Sequence, residues 1–176
     1  MESADSEGGR IHFFDKAFDE RFCGFLLNDA RDQLEKGTGF TRSNYHWKDA
    51  IRLMSAVVLV RDYEPHLAQL ILADLLKRKI VEHGDYHVMN YAWTRLSYIP
   101  WHDDNKRSEA LTIYLNDRWE LDWGGLFLYQ DEQQQIRGFA PKFNCGLRND
   151  NNVMHSTTPV ALEAPEPRFT LQLFAK

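Results

Sequence analysis

Cysteine is nearly missing from this chain of 176 residues: there are two, Cys23 and Cys145, far apart and in no CxxC spacing. That excludes a disulfide scaffold and a thiolate zinc site, and it fits a reducing compartment in which both thiols stay free. Cys23 is expected to pack in the core. Long apolar runs are missing as well. No stretch approaches the roughly 20 residues that a membrane-spanning helix needs, and residues 1–10 are acidic and glycine-rich rather than basic and then apolar, as a secretion leader would be. Positive charge is scarce and scattered, with 21 basic against 26 acidic side chains, a net charge of −5, and no basic run longer than Lys77-Arg78-Lys79. Binding to nucleic acid or to an anionic membrane depends on neutralising phosphates, so neither partner is expected. The expectation is a cytoplasmic protein, and nothing in the composition sets its oligomeric state.

What is present is enough for a core. With 43% hydrophobic and 13% aromatic residues, a chain of this size buries about two-thirds of its unfolded surface. Neither repeats nor low-complexity linkers divide it, so the expected organisation is a flexible tail over residues 1–9 and a single domain over 10–176. Within that domain, 10–85 reads as helical support. A helix should start at Asp19 as N-cap, carry Phe22, Phe25, Leu26, Ala30 and Leu34 on one face, and stop at Lys36-Gly37. Residues 38–47 read as a loop and the valine-rich run 55–60 as a strand. Pro65 opens a second helix, with Leu67, Leu70, Ile71, Leu75 and Ile80 at helical spacing. From residue 86 the pattern changes to short β-rich segments at 86–93, 110–115, 125–129, 153–157 and 168–174. Strands without helices between them pair antiparallel. The fold class is therefore mainly β with N-terminal helices, two helices backing a sandwich or barrel of short strands whose interior is open to a ligand.

Seven histidines raise the question of a metal. Two His-x-Asp pairs occur, little more than composition alone would give. His83-Gly84-Asp85 follows the second helix, where a histidine beside the C-terminal dipole needs no metal. His102-Asp103-Asp104 precedes a polar turn and a strand. In extended backbone, residues i and i+2 project to one face, so His102 and Asp104 can converge on an ion while Asp103 points away. His155, in the later strand 153–157, is the natural third ligand. Two imidazoles and one carboxylate on one side of an ion leave adjacent positions open, which suits Fe(II); two unrelated core or surface histidines are the plainer alternative.

The last strand adds a second signal. Alternation sends Arg168, Thr170 and Gln172 to one face and Phe169, Leu171 and Leu173 to the other. An inward arginine demands an anion, either an internal carboxylate or one held bidentately on a ligand. Thr112, Tyr114 and Asn116 share a face on the preceding strand, so the Tyr114 hydroxyl is a candidate second donor.

In this order, His102-x-Asp104, Tyr114-Leu115-Asn116, Trp123-Gly124-Gly125-Leu126, His155 with Pro159-Val160, and Arg168 resemble the prolyl-4-hydroxylase-like branch of the Fe(II)/2-oxoglutarate-dependent dioxygenases. The resemblance spans about residues 86–174. It implies a double-stranded β-helix (jelly roll, cupin-like) core over 86–176, with helices packed on one sheet and Fe(II) held by His102, Asp104 and His155. It also implies 2-oxoglutarate chelating the iron, its distal carboxylate meeting Arg168 and Tyr114, with Thr170, Tyr91 and Tyr98 as further candidates lining that pocket. The implied reaction uses O2 to hydroxylate a C–H bond and gives succinate and CO2. The segment between His155 and Arg168, which contains Ala164-Pro165-Glu166-Pro167, is a few residues longer than the resemblance leads one to expect. Gly124-Gly125 reads as a bulge or close strand approach.

The favoured substrate is a prolyl or other residue in a protein or peptide; the alternative is a free amino acid or small metabolite. The aromatic segment 40–47 and the polar turn 105–109 are the candidate substrate-facing loops, with Asn105, Arg107 and Trp101 as the residues singled out. Two rival classes remain: a zinc-dependent hydrolase or isomerase on the same ligands, and a metal-free binding module on the same scaffold.

Overall fold

The computed structural model describes residues 11–43, 57–103, 109–150 and 153–175, the side chain of Asp150 excepted. The chain begins with strand β1 (Ile11–Phe14) and helix α1 (Glu20–Glu35). Asp19 caps that helix as expected, its Oδ1 accepting from the Arg21 amide at 3.0 Å. The buried stripe differs from the expected one: Cys23, Leu26, Leu27 and Ala30 face inward, while Phe25 is 52% exposed and stacks on Phe22. The smaller Cys23 lies where the helix meets the sheet, and the bulkier ring is displaced outward. A two-residue strand β2 (Thr41–Arg42) pairs with β3 (Val58–Asp62), so part of the expected loop 38–47 is sheet edge. Residues 44–56, which include the start of the expected strand 55–60, lie outside the described residues.

Helix α2 (Pro65–Lys77) opens on its proline and buries Ile71 and Leu75. It stops three residues short of Ile80, and Leu70, expected on the inner face, is 47% exposed. Among the described residues no helix is long and apolar enough to cross a membrane.

The remainder is strand: β4 (Tyr86–Trp93), β5 (Ile99–His102), β6 (Glu109–Tyr114), β7 (Phe127–Gln130), β8 (Ile136–Phe139), β9 (Gly146–Asp150), β10 (His155–Thr157) and β11 (Arg168–Ala175). They form two antiparallel sheets, a large one ordered β1-β9-β6-β11-β4-β3-β2 and a small one ordered β5-β10-β7-β8. This is the jelly roll, with both helices on the outer face of the large sheet.

Alternation along β11 separates two environments. Phe169, Leu171 and Leu173 join Leu111, Ile113, Val88 and Ala92 against Leu26, Leu27, Ile71 and Leu75 of the helices. Each fully buried aliphatic side chain there contributes about 1.5–3 kcal/mol. The opposite face looks into the roll. There Arg168 sits across from Trp93, Thr170 lies between Tyr91 and Tyr114, and Gln172 lies between Met89 and Thr112. The sheet thus rests on an apolar layer outside and presents a polar stripe inside.

Candidate active site

His102 ends β5, His155 begins β10, and the antiparallel register sets them directly opposite each other. Their ring centroids are 4.2 Å apart. The same local device orients both rings: Nδ1 of His102 lies 2.8 Å from the Pro100 carbonyl, and Nδ1 of His155 lies 2.7 Å from the Val153 carbonyl. A carbonyl oxygen only accepts, so each Nδ1 carries the proton and each Nε2 carries the lone pair a metal requires. The Asn149 amide nitrogen is 3.2 Å from Nδ1 of His155. Of these two neighbours the carbonyl decides the tautomer, because an amide side chain can be turned end for end and a backbone carbonyl cannot. A register slip between His155 and Thr157 marks a bulge just beside the ring, a feature that re-aims side chains. Phe127 stacks on His155 at 5.3 Å, and Tyr129 lies opposite it in the sheet. Asp104, Asn105 and Arg107 lie outside the described residues. Trp101 is on the face of β5 opposite His102, 41% exposed, and is not brought together with the histidines.

Across the interior stands Arg168, only 2% exposed. It donates through Nη1 to the Gly125 carbonyl, and its guanidinium carbon lies 4.6 Å from the Trp93 ring centre and 5.7 Å from that of Tyr114. Its Nε has no hydrogen-bond partner, and among the described residues no carboxylate pairs with it. Burial pushes its pKa down to about 10. The same burial pushes the Tyr114 hydroxyl up to about 12, against the opposing pull of Arg168. Tyr114 is therefore a neutral donor at ordinary pH.

Glycine makes the room for this arginine. Gly125 has φ 67, and a Cβ there would sit 3.0 Å from Cδ and 3.2 Å from Nε of Arg168. At Gly124 the close strand approach read from the sequence is present: it bridges to Val160, and a Cβ would lie 2.2 Å from the Pro159 carbonyl oxygen.

Thr170 accepts from Trp93 Nε1 at 3.0 Å and from Gln172 Nε2 at 3.1 Å, and Thr112 donates to Gln172 Oε1 at 2.8 Å. Tyr91 and Tyr98 belong to the interior cluster with Trp93, Ile99 and Val160, the Tyr91 hydroxyl lying 3.9 Å from the Met89 sulfur. Asn116 departs from the face shared by Thr112 and Tyr114, because β6 ends at Tyr114. Its Oδ1 accepts from the Phe169 amide at 2.7 Å instead, and its Nδ2 donates to Glu166 and to the Pro167 carbonyl.

Two imidazoles oriented by backbone carbonyls, together with a buried cation that has no carboxylate partner among the described residues, are side chains that could hold one metal ion and one anion. The sequence pointed to those three residues and marked Gly125 only as backbone, but passed over Trp93, Phe127 and Asn149. Only the glycine pair carried any local signal; the others matter through strand register.

The sequence profile of the 2OG-Fe(II) oxygenase superfamily matches residues 81–176. No curated protein matches the chain in sequence. In structure it is similar to a prolyl-4-hydroxylase from Pseudomonas putida, at TM-score 0.75 and 12% identity, covering 96% of this chain and 93% of that one. It is likewise similar to a prolyl hydroxylase from Trichoplax adhaerens in complex with a hypoxia inducible factor peptide fragment, at TM-score 0.75 and 13% identity, covering 95% and 83%. A third similar structure is HygX from Streptomyces hygroscopicus with nickel and 2-oxoglutarate bound, at TM-score 0.65 and 12% identity, covering 96% and 84%.

Proposed function

The chain belongs to the 2OG-Fe(II) oxygenase superfamily, and from that premise we propose that it hydroxylates a C–H bond of a prolyl or other residue in a protein or peptide, releasing succinate and CO2. Enzymes of this family are dioxygenases that work with Fe(II), 2-oxoglutarate and O2, and these supply the oxidising chemistry when bound. The chain's own residues bind, orient and exclude water. His102, Asp104 and His155 hold the metal, the two Nδ1–carbonyl contacts fixing the tautomer. Arg168, Tyr114 and Thr170 take the distal carboxylate of 2-oxoglutarate, and Tyr91 and Tyr98 wall the same interior.

The observation that carries this reading is the guanidinium of Arg168, 2% exposed and with no carboxylate partner among the described residues. Burying a charge without an opposite charge is strongly unfavourable, and a ligand carboxylate would supply one. A prolyl or peptide substrate is favoured by the two prolyl hydroxylases of similar fold. The chain is proposed to act as one domain over 10–176 and in the cytoplasm, in keeping with two free, buried thiols; the expected tail over 1–9 lies outside the described residues.

The test is an anaerobic titration of metal-free protein with Fe(II) and 2-oxoglutarate, following the visible charge-transfer band of the chelate, with Arg168→Ala alongside. A saturable band weakened by that substitution supports the reading. Bound zinc without a band points to a hydrolase or isomerase, and no metal at all points to a binding module. Peptide and free amino-acid panels, read as succinate released, then separate the two substrate classes.

A further inference from the structure

We infer that Trp93 is a positioning residue for the cosubstrate: one indole holds both Arg168 and Thr170, and so sets the direction of both donors toward a single carboxylate. The inference rests on the 2-oxoglutarate reading above.

The register explains how one side chain reaches two. Trp93 lies directly across from Arg168 in the β4–β11 ladder, and Thr170 is its diagonal neighbour on the same inner face. The ring face meets the guanidinium at 4.6 Å, within the range of an attractive cation–π contact. The ring edge donates from Nε1 to Thr170 Oγ1 at 3.0 Å.

An indole N–H is a donor only, and a hydroxyl has one proton and two lone pairs. Thr170 must therefore accept on the Trp93 side, and its proton cannot point there. Gln172 Nε2 occupies the second lone pair at 3.1 Å, with its amide oxygen engaged by Thr112 at 2.8 Å. With the Gln172 amide turned this way, no acceptor for the Thr170 proton is found among the described residues, although the side chain is fully buried; turned end for end, the amide would take that proton itself, while the Trp93 donation stays as it is. In the first arrangement the proton is available to a ligand acceptor, next to an arginine that has no carboxylate partner among the described residues. Pre-oriented donors of this kind bind more tightly because they need no rearrangement.

The experiment is the same anaerobic titration with Trp93→Phe, Thr170→Val and the double variant. Trp93→Phe keeps a ring face for Arg168 and removes the donor to Thr170. It should raise the Kd for 2-oxoglutarate roughly tenfold, the effect of one charge-assisted hydrogen bond, with Fe(II) affinity unchanged. Thr170→Val should cost about as much, and the double variant no more than Thr170→Val alone, because the two losses are one interaction. Independent losses that multiply, or a parallel loss of Fe(II) affinity, would assign Trp93 to packing and overturn the inference. Should Trp93→Phe not fold, Thr170→Ser against Thr170→Val decides: serine should bind as wild type, and a valine variant that also binds as wild type overturns it. If wild type gives no band, the cosubstrate reading itself falls. If wild type and Arg168→Ala behave as expected while Trp93→Phe is silent, only the positioning role falls.

Discussion

Burial works against the charge of one guanidinium in the candidate site. Arg168 is pushed from the ordinary value of 12.5 down to about 10 because burial disfavours its charged form. Between those two values the unfolded chain holds a proton that the folded chain has lost, so stability rises with pH across that window. Below about 10 the folded protein bears the cost of a buried charge. Replacing a buried ion pair by apolar side chains of similar volume is commonly neutral or stabilising by about 1–4 kcal/mol, and Arg168 has no carboxylate partner among the described residues that its loss would strand. Arg168→Met should accordingly raise or preserve the Tm of the ligand-free protein while removing 2-oxoglutarate binding, and its advantage should shrink as the pH rises through about 10. Calorimetry over that range checks it, and a clear fall in Tm would mean that the Gly125 contact outweighs the charge. Arg168 was legible from strand alternation, and His102 and His155 from spacing together with the family resemblance. Trp93 was not, since an indole in an apolar strand reads as packing until its cross-strand partner is known.

Between elements, the fastening that matters most for the site lies outside it. Arg31 of α1 holds Glu166 through Nε at 2.9 Å and Nη2 at 2.7 Å, and reaches Asp117 at 2.9 Å. Asn116 ties Glu166 and Pro167 to the amide of Phe169. Helix, β6 exit and the approach to β11 thus meet one residue from Arg168. Arg31 is 37% exposed, so solvent screening limits the pair; Glu166→Ala should destabilise the fold by about 1–2 kcal/mol, mainly by unpairing Arg31 and Asn116. Urea denaturation of Glu166→Ala, Arg31→Ala and the double variant would register this as strong non-additivity, whereas simple additivity would leave the contact without energetic weight. The unusual length of the segment between His155 and Arg168 was visible in the sequence. Its purpose was not, because the partner arginine lies 135 positions away. The helices were legible from capping and periodicity, yet the inner stripe of α1 was offset, since hydrophobicity ranks Phe25 above Cys23 while space at the sheet ranks them the other way.

For the molecule as a whole, both thiols report on integrity. Burial pushes Cys23 up to about 12, and burial together with the Asp15 hydrogen bond pushes Cys145 up to about 11. At pH 8 both remain thiols, poor nucleophiles that water and reagents do not reach. Native protein should therefore leave a thiol reagent such as dithionitrobenzoate almost unreacted, and labelling should follow global unfolding; rapid labelling of either cysteine in native buffer would reveal local opening. The antiparallel plan was legible in the run of short strands after residue 86. Strands β1, β8 and β9 were not, because segments as short and polar as Ile136–Phe139 and Gly146–Asp150 lack an alternating apolar pattern.

The position of β11 in the large sheet has a consequence for how the protein comes into being. It comes last among the described strands, yet it lies in the middle of the sheet, hydrogen-bonded to β6 on one side and β4 on the other. On a ribosome, the two halves of that sheet have to wait for the segment that joins them. The same segment brings Arg168, so a chain broken off before it would lack its central strand and its receptor for a carboxylate together.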